Sequence, residues 1–152
     1  MRSKVVVAGT VATVVAGTVL TVSAAQGERA APRITVVEHA VSDALVDLAP
    51  DGDSNGDLLT FANPVYDRTN SRKVGRDQGS CIRTVVGEAW QCSFTTWLGK
   101  GSLTVEGPFY DAHPSVMAIT GGTGAYARAR GVMHLAARNS QGTAFTFRFV
   151  IR

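Results

Sequence analysis

Acidic residues run out early in this chain: no Asp or Glu follows Asp111 in its 152 residues. That absence bears on the stretch "GGTGAYARARG" at 121–131, where Gly122, Gly124 and Ala127 satisfy the spacing G-x-G-x-x-A. A dinucleotide fingerprint needs a crossover helix behind its glycines and an acid about twenty residues on. Neither is present, and no Lys-Ser/Thr pair follows to make a phosphate loop. These glycines read instead as a tight connection between two strands, where positive φ is required.

Other absences narrow the function further. His39, His113 and His134 share no metal-type spacing with one another or with the cysteines, so no metal and no cofactor are expected. There is no G-x-S-x-G elbow and no paired-carboxylate motif. The basic residues are scattered, with no aromatic-interleaved stripe, which argues against a nucleic-acid partner. Repeats, low-complexity segments and a second domain are also missing.

Long apolar runs are confined to the start. Arg2 and Lys4 precede the uncharged stretch 5–22, and Ser23-Ala24-Ala25 follows with the small residues a signal peptidase requires. The order matches a secretory signal over 1–25, cut after Ala24 or Ala25; an uncleaved anchor is the competing reading. The protein is therefore expected to be secreted, with no stable membrane insertion after cleavage. Loss of the leader leaves 13 bases against 12 acids, a net charge of +1 in place of +3. Residues 26–33, "QGERAAPR", read as a flexible lead into a single domain at 34–152.

Only two cysteines occur, Cys81 and Cys92. Beyond an export signal such a pair is expected to be a disulfide. A turn centred on Val86-Gly87 places the two directly opposite each other on antiparallel strands, within bridging reach.

Sustained helical periodicity is also lacking. "VSDALVDLAP" at 41–50 is the best helical candidate, ended by Pro50. What remains is eight strand-sized bursts, at 34–38, 57–66, 79–86, 89–98, 101–107, 115–120, 131–138 and 143–151, set apart by Gly, Pro, Asn and Asp. The last is the clearest: Phe145, Phe147, Phe149 and Ile151 fall on one face, Thr146 and Arg148 on the other. So apolar a terminal strand should be tied into a sheet, and barrel closure removes its free edge. Trp90 and Trp97, seven apart, should lie on opposite faces. In "RITVVEHA" Glu38 shares a face with Ile34 and Val36, so its carboxylate either enters the core or reaches solvent at the strand end.

Four stretches taken together, "GDLLTFANPVYD", "VGRDQGSCI", "GSLTVEGPFYDAHPSVMAITGGTGAYARARG" and "GTAFTFRF", resemble the allene oxide cyclase family and, more distantly, plant dirigent proteins. The resemblance spans about residues 34–151. It implies an all-β fold, an eight-stranded antiparallel β-barrel with an apolar cavity, assembled as a homotrimer. It also implies stereoselective cyclisation of a small apolar molecule, an isomerase-type activity.

Residue by residue, the cyclase glutamate falls on Glu38 as the catalytic group. Cavity positions fall on Phe61, Asn63 and Cys81 as substrate-binding residues, with Phe109 where the family has tyrosine. The family's asparagine two residues after the glutamate is Ala40 here, so two groups that serve a developing oxyanion are gone. Two functions stand: a barrel that steers cyclisation or coupling of an apolar ligand, and a non-catalytic carrier of lipid-like ligands or structural barrel.

Overall fold

A computed structural model describes residues 31–152. The expected leader at 1–25 and most of the segment 26–33 lie outside the described residues. Nine strands follow in order: β1 (Arg33–His39), β2 (Ala44–Val46), β3 (Leu58–Asp67), β4 (Lys73–Val85), β5 (Ala89–Leu98), β6 (Gly101–Tyr110), β7 (Ser115–Gly122), β8 (Gly131–Ala137) and β9 (Ala144–Ile151). All are antiparallel neighbours in chain order from β3 to β9. β1 then pairs with β9 along its whole length and with β3 at Val36–Glu38, so eight strands close a barrel. Closure leaves no long exposed edge.

The alternation of β9 sets the interior. Phe145, Phe147 and Phe149 stand opposite Glu38, Val36 and Ile34 of β1, all on the inner face. At one end the barrel is filled by Phe149, Leu103, Met117, Met133 and Val65, each essentially inaccessible. Burial of such side chains contributes about 1.5–3 kcal/mol each. Trp90 faces inward and is buried, while Trp97 lies on the other face under the Arg76 guanidinium, 4.6 Å from its ring centre.

Two segments depart from the sequence reading. Residues 41–50 form no helix; they hold the three-residue β2, paired to the first turn-side part of β3. Side chains take the backbone groups a helix would need: Asn63 accepts from Val41 and Ser42, and Asp57 from Leu48. β4 also begins at Lys73, six residues before the apolar burst at 79, because its inner positions there are Gly75, Asp77 and Gly79. A Cβ at Gly79 would lie 2.2 Å from the Phe94 Cβ, so close approach of β5 demands glycine.

The Gly-Gly-Thr-Gly stretch is the expected turn. β7 ends at Gly122, a single 3₁₀ turn spans Gly124–Tyr126, and β8 resumes at Gly131. Gly124 has φ +58°, and a Cβ there would meet the Lys100 carbonyl at 2.4 Å. The turn packs on the β5–β6 hairpin, with Thr123 Oγ1 and Ser102 Oγ 2.7 Å apart.

Candidate functional site

The end of the barrel opposite this turn holds an apolar pocket. β1 contributes Glu38; β3 contributes Leu59, Phe61 and Asn63; β4 and β5 contribute Cys81, Cys92 and Phe94. Phe109 of β6, Leu135 of β8, and Phe145 and Phe147 of β9 complete the walls, with Asp43 at the β1–β2 connection. Thus the residues singled out in the sequence, Glu38, Phe61, Asn63, Cys81 and Phe109, all border one space.

The rings interlock. Phe61 meets Phe94 edge-on at 5.6 Å, Phe94 meets Phe147 at 5.5 Å, and Phe109 meets Phe145 at 5.8 Å. Such pairs add about 0.5–1.5 kcal/mol beyond their area and hold the wall in shape. The enclosed space is about 70 Å³, and the whole concavity with its open mouth about 440 Å³. A dry cavity of about 150 Å³ takes up benzene. A ligand of one ring or more therefore sits partly in the mouth or displaces a phenylalanine ring.

Cys81 and Cys92 form a disulfide, with Cα atoms 4.0 Å apart in the β4–β5 ladder. The hairpin loop has three residues rather than two, and a bulge between Arg83 and Val85 absorbs the extra one. Cys81 accordingly offers the pocket a disulfide sulfur and no thiol.

Asn63 organises the polar side of the pocket. β1 stops at His39 and β2 starts at Ala44, leaving a break in the strand line beside β3. The Asn63 carbonyl oxygen fills it by accepting from the backbone of Val41 at 2.9 Å and of Ser42 at 3.0 Å. Ser42 Oγ completes the repair, donating to the Ala62 carbonyl and accepting from the Ala62 amide. Both hydrogens of the Asn63 amide are also used, one donated to Glu38 Oε1 and the other to Asp43 Oδ1 at 2.8 Å. Nothing on this side chain is left for a ligand.

Glu38 is 4% exposed. Burial pushes its pKa up to about 7; the Asn63 hydrogen bond lowers it and Asp43 raises it. It therefore stands where a carboxyl can give or take a proton near neutral pH. Next to Asn63 in the β3–β4 register lies Asp77, fully buried. Burial, then the nearby Glu38 carboxyl, pushes Asp77 up to about 8. Neither of its oxygens has a hydrogen-bond partner, nor does the hydroxyl of Thr96, its neighbour across β4–β5. Sequence reasoning missed Asp77 and Asp43. Extending the strand register from Asn63 to Asp77 is the signal that would have found the former.

Arg83, just beyond the disulfide on the inner face, is engaged elsewhere. Its Nη1 lies 2.6 Å from Asp111 and its Nε 2.5 Å from Asp53, with the guanidinium 4.0 Å above the Trp90 ring. Among the described residues no group of three His, Cys, Asp or Glu side chains is placed to hold a metal, and no helix is long and apolar enough to cross a membrane.

Fold and site together define a small closed antiparallel barrel with an aromatic pocket and a buried carboxyl group, Glu38, at its wall. The chain belongs to the dirigent-like protein family, whose pattern it matches over residues 25–151. Its fold is similar to that of a pyocyanin demethylase, at 24% identity and a TM-score of 0.70, covering 80% of this chain and all of the other. A pterocarpan synthase dirigent protein is similar at 20% identity and a TM-score of 0.63, over 79% of this chain and 92% of the other. The Diels–Alderase AbmU from Streptomyces koyangensis is similar at 15% identity and a TM-score of 0.63, over 85% of this chain and 71% of the other. At these identities the likeness establishes the fold.

Proposed function

We propose that this protein binds a small, mainly apolar molecule in the Phe-lined pocket and steers its ring closure or coupling, with Glu38 giving or taking the proton. The observation that carries this reading is the placement of a buried carboxyl, Glu38, with its pKa raised to about 7, at the wall of a pocket that is otherwise largely phenylalanine and leucine. Such a site needs little covalent chemistry: a shaped cavity selects one conformer and the acid handles charge at one atom. The names of the structural relatives, a pterocarpan synthase and Diels–Alderases among them, agree with ring-forming chemistry on this fold. Export with cleavage after Ala24 or Ala25, and assembly as a homotrimer, belong to the same reading.

A carrier without catalysis is the second reading, favoured by one feature. The Asn63 donors are consumed and the cysteines are bridged, so Glu38 alone could serve a developing negative charge. The test is the stereochemistry of a spontaneous ring closure: an uncharged ester of a fatty-acid allene oxide, generated in situ, with the cyclopentenone enantiomers quantified. An enantiomeric excess that falls with Glu38→Gln supports steering by this pocket. A racemate from the native protein, alongside retained ligand uptake, leaves the carrier.

A further inference from the structure

The walls of the pocket differ from those of a plain lipid cavity in their hydrogen-bonding sense. Glu38 and Asp43 bring carboxylate oxygens. Every other polar function is already paired or cannot donate: the Asn63 amide is saturated, and the two sulfurs are bridged. No Lys, Arg or His borders the space, and the nearest inward base, Arg83, is held by Asp53 and Asp111. Glu38 is nine-tenths buried and only its Oε1 is bonded, leaving Oε2 without a partner at the pocket wall. Five phenylalanine rings line the same pocket, and a ring face that meets a cation attracts it by about 0.5–2 kcal/mol.

Resting on the reading of this pocket as a ligand site, we propose that its ligand is an aromatic cation, one carrying a protonated nitrogen that meets Glu38 while its ring packs against Phe61, Phe94 and Phe147. An anionic ligand is disfavoured by the same walls once Glu38 is ionised, since it would then face two acids with no free donor to satisfy it. A neutral ligand of equal shape gains the apolar contacts and forgoes the charge.

The arrangement ties affinity to pH. The titratable groups that face Glu38 are Asp43, from the β1–β2 connection, and Asp77, from β4. β3 presents Phe61 and Asn63, β5 Phe94, β8 Leu135, and β9 Phe145 and Phe147, none of which titrates. With its pKa near 7, Glu38 is largely protonated at pH 6 in the empty pocket and ionised at pH 8. A bound cation favours the carboxylate, so binding between these values expels a proton.

The test compares three probes of one size on the purified full chain: benzylammonium, benzyl alcohol and benzoate, titrated by NMR at pH 6 and pH 8. Benzylammonium is expected to bind roughly tenfold or more tightly than benzyl alcohol at pH 8. The margin should narrow at pH 6, and benzoate should be the weakest. Calorimetry near pH 7 should show buffer-dependent heat from the released proton with benzylammonium alone. Glu38→Gln should abolish the cation preference, whereas Glu106→Gln, which removes an exposed charge on the outer face of β6, should leave it intact. Equal affinity for the cation and the alcohol, or a preference for benzoate, overturns the inference while the ligand-site reading stands. Failure of all three probes to shift pocket resonances overturns both.

Discussion

Asn63 donates to Glu38 across the seam where β1 meets β3, and the same amide closes the break between β1 and β2 through Val41 and Ser42. One side chain therefore links barrel closure to the protonation of the pocket acid. Replacing it with leucine keeps much of the volume and strips the hydrogen bonds to Val41, Ser42, Glu38 and Asp43. Val41, Ser42 and Asp43 are exposed and can turn to water, whereas the buried Glu38 carboxyl loses its partner at a cost of about 1–3 kcal/mol. Asn63→Leu should lose about 1–3 kcal/mol in urea unfolding. A loss below about 1 kcal/mol would mean that water replaces the amide and the seam does not depend on it.

The two inward acids set an unusual stability profile. Glu38 is raised from 4.5 to about 7 and Asp77 from 3.8 to about 8 by burial. Below about pH 3 both are protonated in the folded and unfolded chain alike, and neither penalises folding. As pH rises toward 8 the unfolded chain releases these protons while the folded one retains them, so stability falls and then levels off. For Glu38 the fall amounts to about 3 kcal/mol at most.

Asp57 acts in the other direction, held below its usual value by the backbone amides of Ser54 and Leu48, so its contribution is lost in strong acid. Maximum stability is expected at mildly acidic pH, about 4–5. Melting temperatures from pH 3 to pH 9 should show this, with Glu38→Gln and Asp77→Asn each flattening the alkaline side. A flat native profile from pH 5 to pH 8 would place both carboxyls in contact with water.

The Cys81–Cys92 bridge closes a short loop across one hairpin. Chain-entropy reasoning gives about 3 kcal/mol for a loop of this length. Reduction, or the double change Cys81→Ser with Cys92→Ser, should lower the melting temperature by several degrees without unfolding the barrel, because the full β4–β5 ladder remains. Ligand uptake should persist in the reduced protein. Its disappearance would show that the bridged sulfurs shape the pocket wall as well as the hairpin.

How far this architecture could be read in the sequence depended on where the inner positions are apolar. All eight barrel strands announced themselves, because Phe145, Phe147 and Phe149 or Phe94 and Cys92 alternate with polar neighbours. The first half of β4 did not, since Gly75, Asp77 and Gly79 carry no apolar signal; close packing against Trp97 and Phe94 imposes the two glycines. The helix expected at 41–50 failed for a related reason. Its backbone is held by Asn63 and Asp57, residues at least nine positions away, which no local period reports. For Glu38 the strand face was legible and the consequence was not: a raised pKa depends on the barrel closing over it.

Glycines at positive φ offer the last test, because two of them differ in both backbone angle and surroundings. Gly87, at φ +68° in the β4–β5 turn, has open space where a Cβ would stand. Gly87→Ala should cost about 1 kcal/mol, the strain of the left-handed backbone alone. Gly131, at φ +135°, opens β8, and a Cβ there would lie 2.1 Å from the Val150 carbonyl oxygen on the β8–β9 seam. That oxygen belongs to a backbone locked on its other side by β1, so it cannot retreat without opening the barrel at Arg33. Gly131→Ala should therefore cost roughly 3 kcal/mol or more. Hydrogen exchange should locate the damage in β8 and β9 first. Equal and small effects at the two positions would mean that the seam beside Val150 yields, and that closure by β9 is softer than its register implies.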